Sequence, residues 1–249
     1  MLGLGFRERL SVTLVGAEYP VNVGYTARLV KNFGIRRLYL VEPRFDRRVA
    51  SVYATHGADV IADAETIDFA ELRRRHDLLI ATTAVPATKR ANVARLSLSP
   101  EEVVDYARGS SSTSLVFGRD TTGLRNDEMA RCDVVTTIKT GTRYRTLNVS
   151  HSVGVLLYLL TRTRGRKEAV VPGLPLRDAF ANSAYELAIA SGLQRHKAER
   201  LLKLSRRISL RSRVDDGELG LLLSLFRRAT TAISLKESPR SAHRHRPAV

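Results

Sequence analysis

Three short stretches combine glycine, polar side chains and a strand end, the ingredients for holding a polar ligand against bare backbone. The first, Pro20-Val21-Asn22-Val23-Gly24-Tyr25-Thr26-Ala27-Arg28, directly follows a β-branched run over Leu10–Gly16. Ligands of α/β proteins sit outside the carboxyl ends of strands, so the Asn22 amide and the Arg28 guanidinium are well placed. Arg28 is expected on the first turn or two of the next helix, pointing back at the site. The plainer alternative makes Asn22 a helix cap and Arg28 a solvated arginine.

The second stretch, Phe117-Gly118-Arg119-Asp120-Thr121-Thr122-Gly123-Leu124-Arg125-Asn126, has two glycines that let a backbone approach a ligand closely. It has neither the spacing of a dinucleotide fingerprint nor the lysine of a P-loop, so NAD and ATP are not indicated. The third, Tyr144-Arg145-Thr146-Leu147-Asn148-Val149-Ser150-His151-Ser152-Val153, opens an apolar helix with polar groups. Helix starts offer unpaired N–H groups, and a simple cap is the alternative there too. Metal chemistry finds no support: His56, His76, His151 and His196 lack partners at ligand spacing, and His243 and His245 fall in a polar tail. Cys132 is alone, which excludes an intrachain disulfide and a cysteine-rich zinc site, and it reads as a small buried apolar residue.

The elements that must position these stretches alternate between strand and helix. Strands are expected over Leu10–Gly16, Leu38–Glu42, Ala58–Ala62, Asp77–Thr83, Ser114–Gly118 and Val134–Ile138. Helices are expected over Tyr25–Phe33, Arg47–Tyr53, Phe69–Arg75, a segment capped by Ser99 and ending at Arg108-Gly109, and Leu147–Thr161. Such alternation predicts a mostly parallel α/β sheet covered on both faces. After a linker at 165–176, three amphipathic helices are expected over Arg177–Ser191, Gln194–Ser209 and Glu218–Ile233. In the second of these, Leu201, Leu202, Leu204 and Ile208 are expected to share one face, with Arg200, Lys203, Arg206 and Arg207 towards solvent. The organisation read here is a domain at 1–164, a helical extension at 177–236 and a disordered tail at 237–249.

A formal net charge of +16 favours a polyanionic partner, because each neutralised phosphate releases counterions. From Arg166 onward there are 17 Lys/Arg against 8 Asp/Glu, leaving 24 against 17 in the longer first part. No apolar run approaches membrane-spanning length and the first residues do not read as a signal peptide, so a cytoplasmic protein without a membrane partner is expected.

Taken together and in order, the three stretches resemble the sequence motifs of SPOUT methyltransferases, in particular the TrmJ-type tRNA ribose 2′-O-methyltransferases. PVNVGYTARLVKNFG with LYLVEP is similar to the first motif and second strand, LVFGRDTTGLRNDEMARCD to the second, and YRTLNVSHSVGVLLYLL to the third. The resemblance spans roughly Leu10 to Leu160 and extends more weakly into the helical tail. It implies a SPOUT-type parallel sheet with a deep C-terminal trefoil knot, an exception to the usual unknotted topology, plus a small all-α extension. It also implies S-adenosylmethionine as cofactor, tRNA as substrate at nucleotide 32 of the anticodon loop, and a homodimer with the active site at the subunit interface.

On that pattern Thr82, Thr83, Ala84, Gly118, Arg119, Gly123, Ile138 and Leu147 surround the cofactor. Arg28, Asn22, Thr146 and Asn148 form the catalytic set. Arg28 acts on the ribose hydroxyl, as proton acceptor in a dry site beside another cation or as stabiliser of the alkoxide; Asn22 orients Arg28 or the ribose. Substrate RNA would be held by Arg28, Tyr144, Arg145, Arg206, Arg207, Arg211 and Arg213. Three positions depart from the family pattern: Asp120 stands for glutamate, Val85 for arginine and Thr146 for serine. The alternatives are methyl transfer to another RNA and a non-catalytic RNA-binding relative.

Overall fold

Six consecutive buried residues, Leu10–Val15, make β1 an interior strand of a sheet in which every strand pairing is parallel. With β2 (Arg37–Val41), β3 (Glu65–Thr66), β4 (Leu78–Thr82), β5 (Ser97–Leu98), β6 (Thr113–Phe117) and β7 (Val134–Thr136), the order is β3-β2-β1-β6-β4-β7-β5. This computed structural model describes residues 4–84, 97–162, 171–211 and 214–237. Val85, Arg213 and the side chain of Arg211 lie outside the described residues. The chain divides into two compact units, Met1–Leu174 and Pro175–Val249.

Strands buried on both faces read as continuous apolar runs, and the few hydroxyls among them need partners. Thr13 and Ser114 supply each other's, 2.8 Å apart across β1 and β6. On one face Val15, Tyr39, Val41, Leu79, Ala81, Val116 and Val135 pack with Phe69 and Leu72 of α5 (Phe69–Arg75) and Met129 of α7 (Asn126–Ala130). The Cys132 side chain joins this cluster, where burial pushes its thiol far above the ordinary range. Residues alternating with these point to the opposite face. That face belongs to α2 (Pro20–Asn32), α6 (Pro100–Gly109) and α8 (Val149–Arg162), whose Val23, Ala27, Val103, Ala107, Val153, Leu156 and Leu157 are buried. Local capping sets several boundaries: Asp68 accepts from the Glu71 N–H at 2.7 Å, and Ser99 with Glu102 closes a capping box around Pro100.

Two elements differ from the sequence expectation. α2 starts at Pro20 rather than Tyr25, because proline at a first helical position forfeits no hydrogen bond. Ala58–Ala62 is a short helix rather than a strand, following α3 (Arg47–Ala54) and a single 3₁₀ turn. A five-residue segment is too short to separate the two periods, and here only Ile61 is turned inward. Numbered α4, this helix follows the opening α1 (Leu4–Glu8), which the apolar pattern did not reveal.

The second unit contains α9 (Leu174–Ala190), α10 (Arg195–Arg211) and α11 (Asp216–Glu237) among its described residues. Phe180 stacks on Phe226, joining α9 to α11, with ring centroids 5.3 Å apart. In α10 the expected apolar face is not the buried one. Leu204 and Ile208 are exposed and Leu201 and Leu202 half-buried, whereas Leu210 is buried together with Ala198, Ser205 and Ser209, small residues that let neighbouring helices approach.

His76, between α5 and β4, is buried and doubly hydrogen bonded. Its Nδ1 lies 3.0 Å from the Leu72 carbonyl, which can only accept, so Nε2 of the neutral ring accepts from the Ser11 hydroxyl at 2.9 Å. Burial lowers its pKa, with nearby Arg73, Arg37 and Arg75 opposing charge as well. The unfolded chain therefore binds the extra proton first. The resulting stability is complete above about pH 6.5 and is lost as pH falls towards the folded value. Thermal unfolding from pH 8 to pH 5 should show this slope in the wild type and a shallower one in His76→Gln; equal slopes would rule out His76 as its source.

Candidate active site

β4, β6 and β7 are neighbours, and the segments leaving their carboxyl ends enclose a cavity of about 210 Å³ together with the start of α8. Thr82, Thr83 and Ala84 form one wall, residues 117–124 another, and Thr136 with Ile138 a third. Arg145, Thr146, Leu147, Val149, Ser152 and Leu156 close it. All eight residues expected around a cofactor line this cavity, and Thr146 and Arg145 join them. Asn22, Arg28, Tyr144 and Asn148 do not line it.

The wall at 117–124 is a turn folded back on itself. Arg119 and Gly123 exchange backbone hydrogen bonds of 3.2 and 2.9 Å, and Gly123 adopts φ 69, which glycine takes without strain. A Cβ on Gly118 would stand 2.1 Å from the Gly123 carbonyl carbon, so only glycine fits. The Arg119 side chain leaves the cavity. Both its terminal nitrogens meet Glu128 at 3.0 Å, and Glu128 raises its pKa above the ordinary value. Arg119 also lies against Gly16, where a Cβ would meet Nε at 2.7 Å. β1 and β6 lead off in opposite directions, so their carboxyl ends form the usual ligand crevice of an α/β sheet. Arg119 fills it, and the cavity is displaced to β4, β6 and β7.

Asn22 and Asn148 serve the cavity by tying its surroundings together. Asn22 Nδ2 donates to Asp120 Oδ1 at 2.5 Å, while its Oδ1 accepts from Asn148 Nδ2 at 2.8 Å. Asn148 Oδ1 in turn accepts from the Ser150 N–H at 2.9 Å and its hydroxyl at 2.7 Å, capping α8. Asp120 Oδ2 takes the N–H groups of Glu18 and Tyr19 at the entry to α2, each at 3.3 Å. The shorter aspartate thus reaches Asn22 and the chain before α2 together. Asn22 gives its amide to Asp120 on one side and Asn148 on the other. Arg28 itself is on the third turn of α2, exposed, rather than on the turn facing the cavity.

The profile of the SpoU rRNA Methylase family matches residues 9–158, more than half of the chain. The chain belongs to the SpoU methylase family. Relatives align along most of their length. The tRNA (cytidine-2′-O-)-methyltransferase TrmJ of Sulfolobus acidocaldarius is 27% identical, over 92% of this chain and 97% of its own. The tRNA (cytidine/uridine-2′-O-)-methyltransferase TrmJ of Yersinia pestis is 30% identical, over 88% of this chain and 90% of its own. Among solved structures, TrmJ of Z. mobilis shares the fold with a TM-score of 0.65 at 19% identity, covering 88% of this chain and 97% of that one.

This SpoU methylase is a methyltransferase, and its methyl donor is S-adenosylmethionine. The cavity suits such a donor: Phe117, Ile138, Leu147 and Leu156 offer apolar walls, threonine hydroxyls offer polar contacts, and Gly118 leaves backbone bare. Among the described residues no group of His, Cys, Asp and Glu is arranged to hold a metal, and no helix is long and apolar enough to cross a membrane.

The expected RNA-binding residues belong to both units. Tyr144 is 80% exposed on a loop pinned by Thr140 and Thr142, whose hydroxyls donate to its carbonyl. Arg206 faces solvent as expected and pairs with Asp178 of α9 at 3.0 Å. Sequence reasoning missed Glu128, which is 2% exposed, and the exposed apolar residues Tyr25, Val52, Tyr53, Val155 and Tyr158 of α2, α3 and α8. An acidic pair at the start of α7 was the available signal for the former.

Proposed function

We propose that this SpoU methylase methylates the ribose 2′ oxygen of tRNA, at nucleotide 32 of the anticodon loop, working in the cytoplasm as a homodimer. The observation that carries the reading is the Asp120–Asn22–Asn148 chain, which gathers all three motifs around one cavity. Relatives named as tRNA 2′-O-methyltransferases along most of the chain support the substrate, as does the net charge of +16. On this reading the chain around the cavity is tied in a trefoil knot.

S-adenosylmethionine supplies an electrophilic methyl group on a cationic sulfur. The threonine hydroxyls and apolar walls hold it and exclude water, and the Asn22–Asn148 bond fixes the third motif against the first. A ribose hydroxyl is a weak nucleophile whose proton must be accepted or whose developing charge must be stabilised. Arg28 is the group for that task, and because it does not line the cavity of its own chain, it acts in the cavity of a second copy. The exposed tyrosines and valines of α2, α3 and α8 supply the apolar surface for such a dimer. Tyr144 offers a face for base stacking and Arg145 a phosphate contact at the cavity mouth. In the second unit Arg207 of α10, with the exposed Arg200 and Lys203, offers further contacts to RNA phosphates.

The test incubates the protein with labelled S-adenosylmethionine and unmodified tRNA and maps 2′-O-methylation by nucleoside mass spectrometry. One methylated ribose in the anticodon loop is expected. A protein that binds donor but methylates no tRNA would defeat the substrate assignment, and one that binds no donor would defeat the reading of the cavity.

A further inference from the structure

Glu128 is the most deeply buried carboxylate around the cavity, yet it lines no part of it. It accepts from both terminal nitrogens of Arg119 at 3.0 Å, and from the Arg125 backbone N–H at 2.7 Å and Arg125 Nη2 at 2.9 Å. Those two arginines flank the turn whose backbone walls the cavity. We infer that Glu128 is a positioning residue for methyl-donor binding: one buried carboxylate ties down both ends of the turn from Arg119 to Arg125.

Charge and backbone both fit that role. Glu42 joins the cluster, 3.5 Å from Arg119 and 4.0 Å from Arg125, and Asp127 lies 3.5 Å from Arg125, so both guanidiniums are held among carboxylates. Its φ of 48 is unfavourable for a glutamate, and this kind of backbone persists where surrounding structure holds it. The bidentate geometry fixes direction as well as distance, which a lone lysine or amide would not. Arg119 is thereby kept in the crevice between β1 and β6, and its backbone is presented to the cavity instead of its charge.

The inference rests on the cavity being the donor site. The experiment compares wild type, Glu128→Gln and the double variant Arg119→Met with Glu128→Met. The readouts are calorimetric titration with S-adenosylhomocysteine, thermal unfolding, and hydrogen exchange of the 118–125 amides without ligand. Glu128→Gln keeps the shape but removes the charge, and is expected to weaken S-adenosylhomocysteine binding by about tenfold and to speed exchange in the turn. The double variant removes both buried charges, so it should recover melting temperature without recovering affinity. Wild-type affinity and unchanged exchange in a folded Glu128→Gln would overturn the inference, as would affinity returning with melting temperature in the double variant. Wild-type protein that binds no S-adenosylhomocysteine would instead overturn the donor-site reading on which it rests.

Discussion

Gly118→Ala removes binding of the methyl donor while leaving the sheet folded. The added carbon would lie 2.1 Å from both the Gly123 carbonyl carbon and the Leu124 nitrogen, and 2.6 Å from the Gly123 oxygen. All three are backbone atoms, so no side chain can swing away, and the turn itself must open. Opening breaks the Arg119–Gly123 pair of hydrogen bonds and displaces one wall of the cavity. Overpacking of this kind costs about 1–3 kcal/mol, enough to lower the melting temperature by several degrees without unfolding the sheet. Gly123→Ala provides the comparison: its Cβ meets nothing within 4 Å, and only the left-handed φ of 69 is strained, at about 1 kcal/mol. Titration with S-adenosylhomocysteine should show binding lost in the first variant and weakened in the second. Near-wild-type affinity in Gly118→Ala would mean that donor does not sit against this turn.

What could be read in the sequence was whatever is decided locally. Phe69–Arg75 and Pro100–Gly109 carry their own caps, in Asp68 and Ser99, and their boundaries follow from the residues at the ends. The four long strands announce themselves as mostly buried runs rich in apolar residues. β3 and β5 have two residues each, too few for any period, and exist because a neighbouring strand offers them hydrogen bonds. α10 shows the opposite failure: the leucine pattern was real, but which face is covered depends on small residues such as Ala198 and Ser205, whose fit is a tertiary matter. The site divides in the same way. Glycines and hydroxyls at strand ends marked the cavity walls, whereas Asn22 meets Asp120 across 98 residues and Asn148 across 126. Both asparagines stood out as polar residues at helix starts. Their roles as connectors could not be inferred from composition, because an amide serves a ribose or another amide equally well.

Arg28→Ala is expected to reduce methyl transfer by about 10³-fold, the scale for losing a group that accepts a proton or stabilises developing charge. Donor affinity should be unchanged, because Arg28 is absent from the cavity lining. That absence also sharpens the experiment. Arg28 follows Asn22 by six residues, which places it about 9 Å farther along α2 and on a different side of the helix. Asn22 faces inward to Asp120, and Arg28 faces solvent. If Arg28 serves the second copy of the proposed homodimer, mixing Arg28→Ala with Gly118→Ala must regenerate activity. In such a mixed dimer, one site combines an intact cavity from the first variant with Arg28 from the other. If Arg28 serves its own chain, neither site is whole and the mixture stays inactive. Methyl transfer measured after the two inactive variants are mixed and exchanged therefore decides whether one chain or two build this active site.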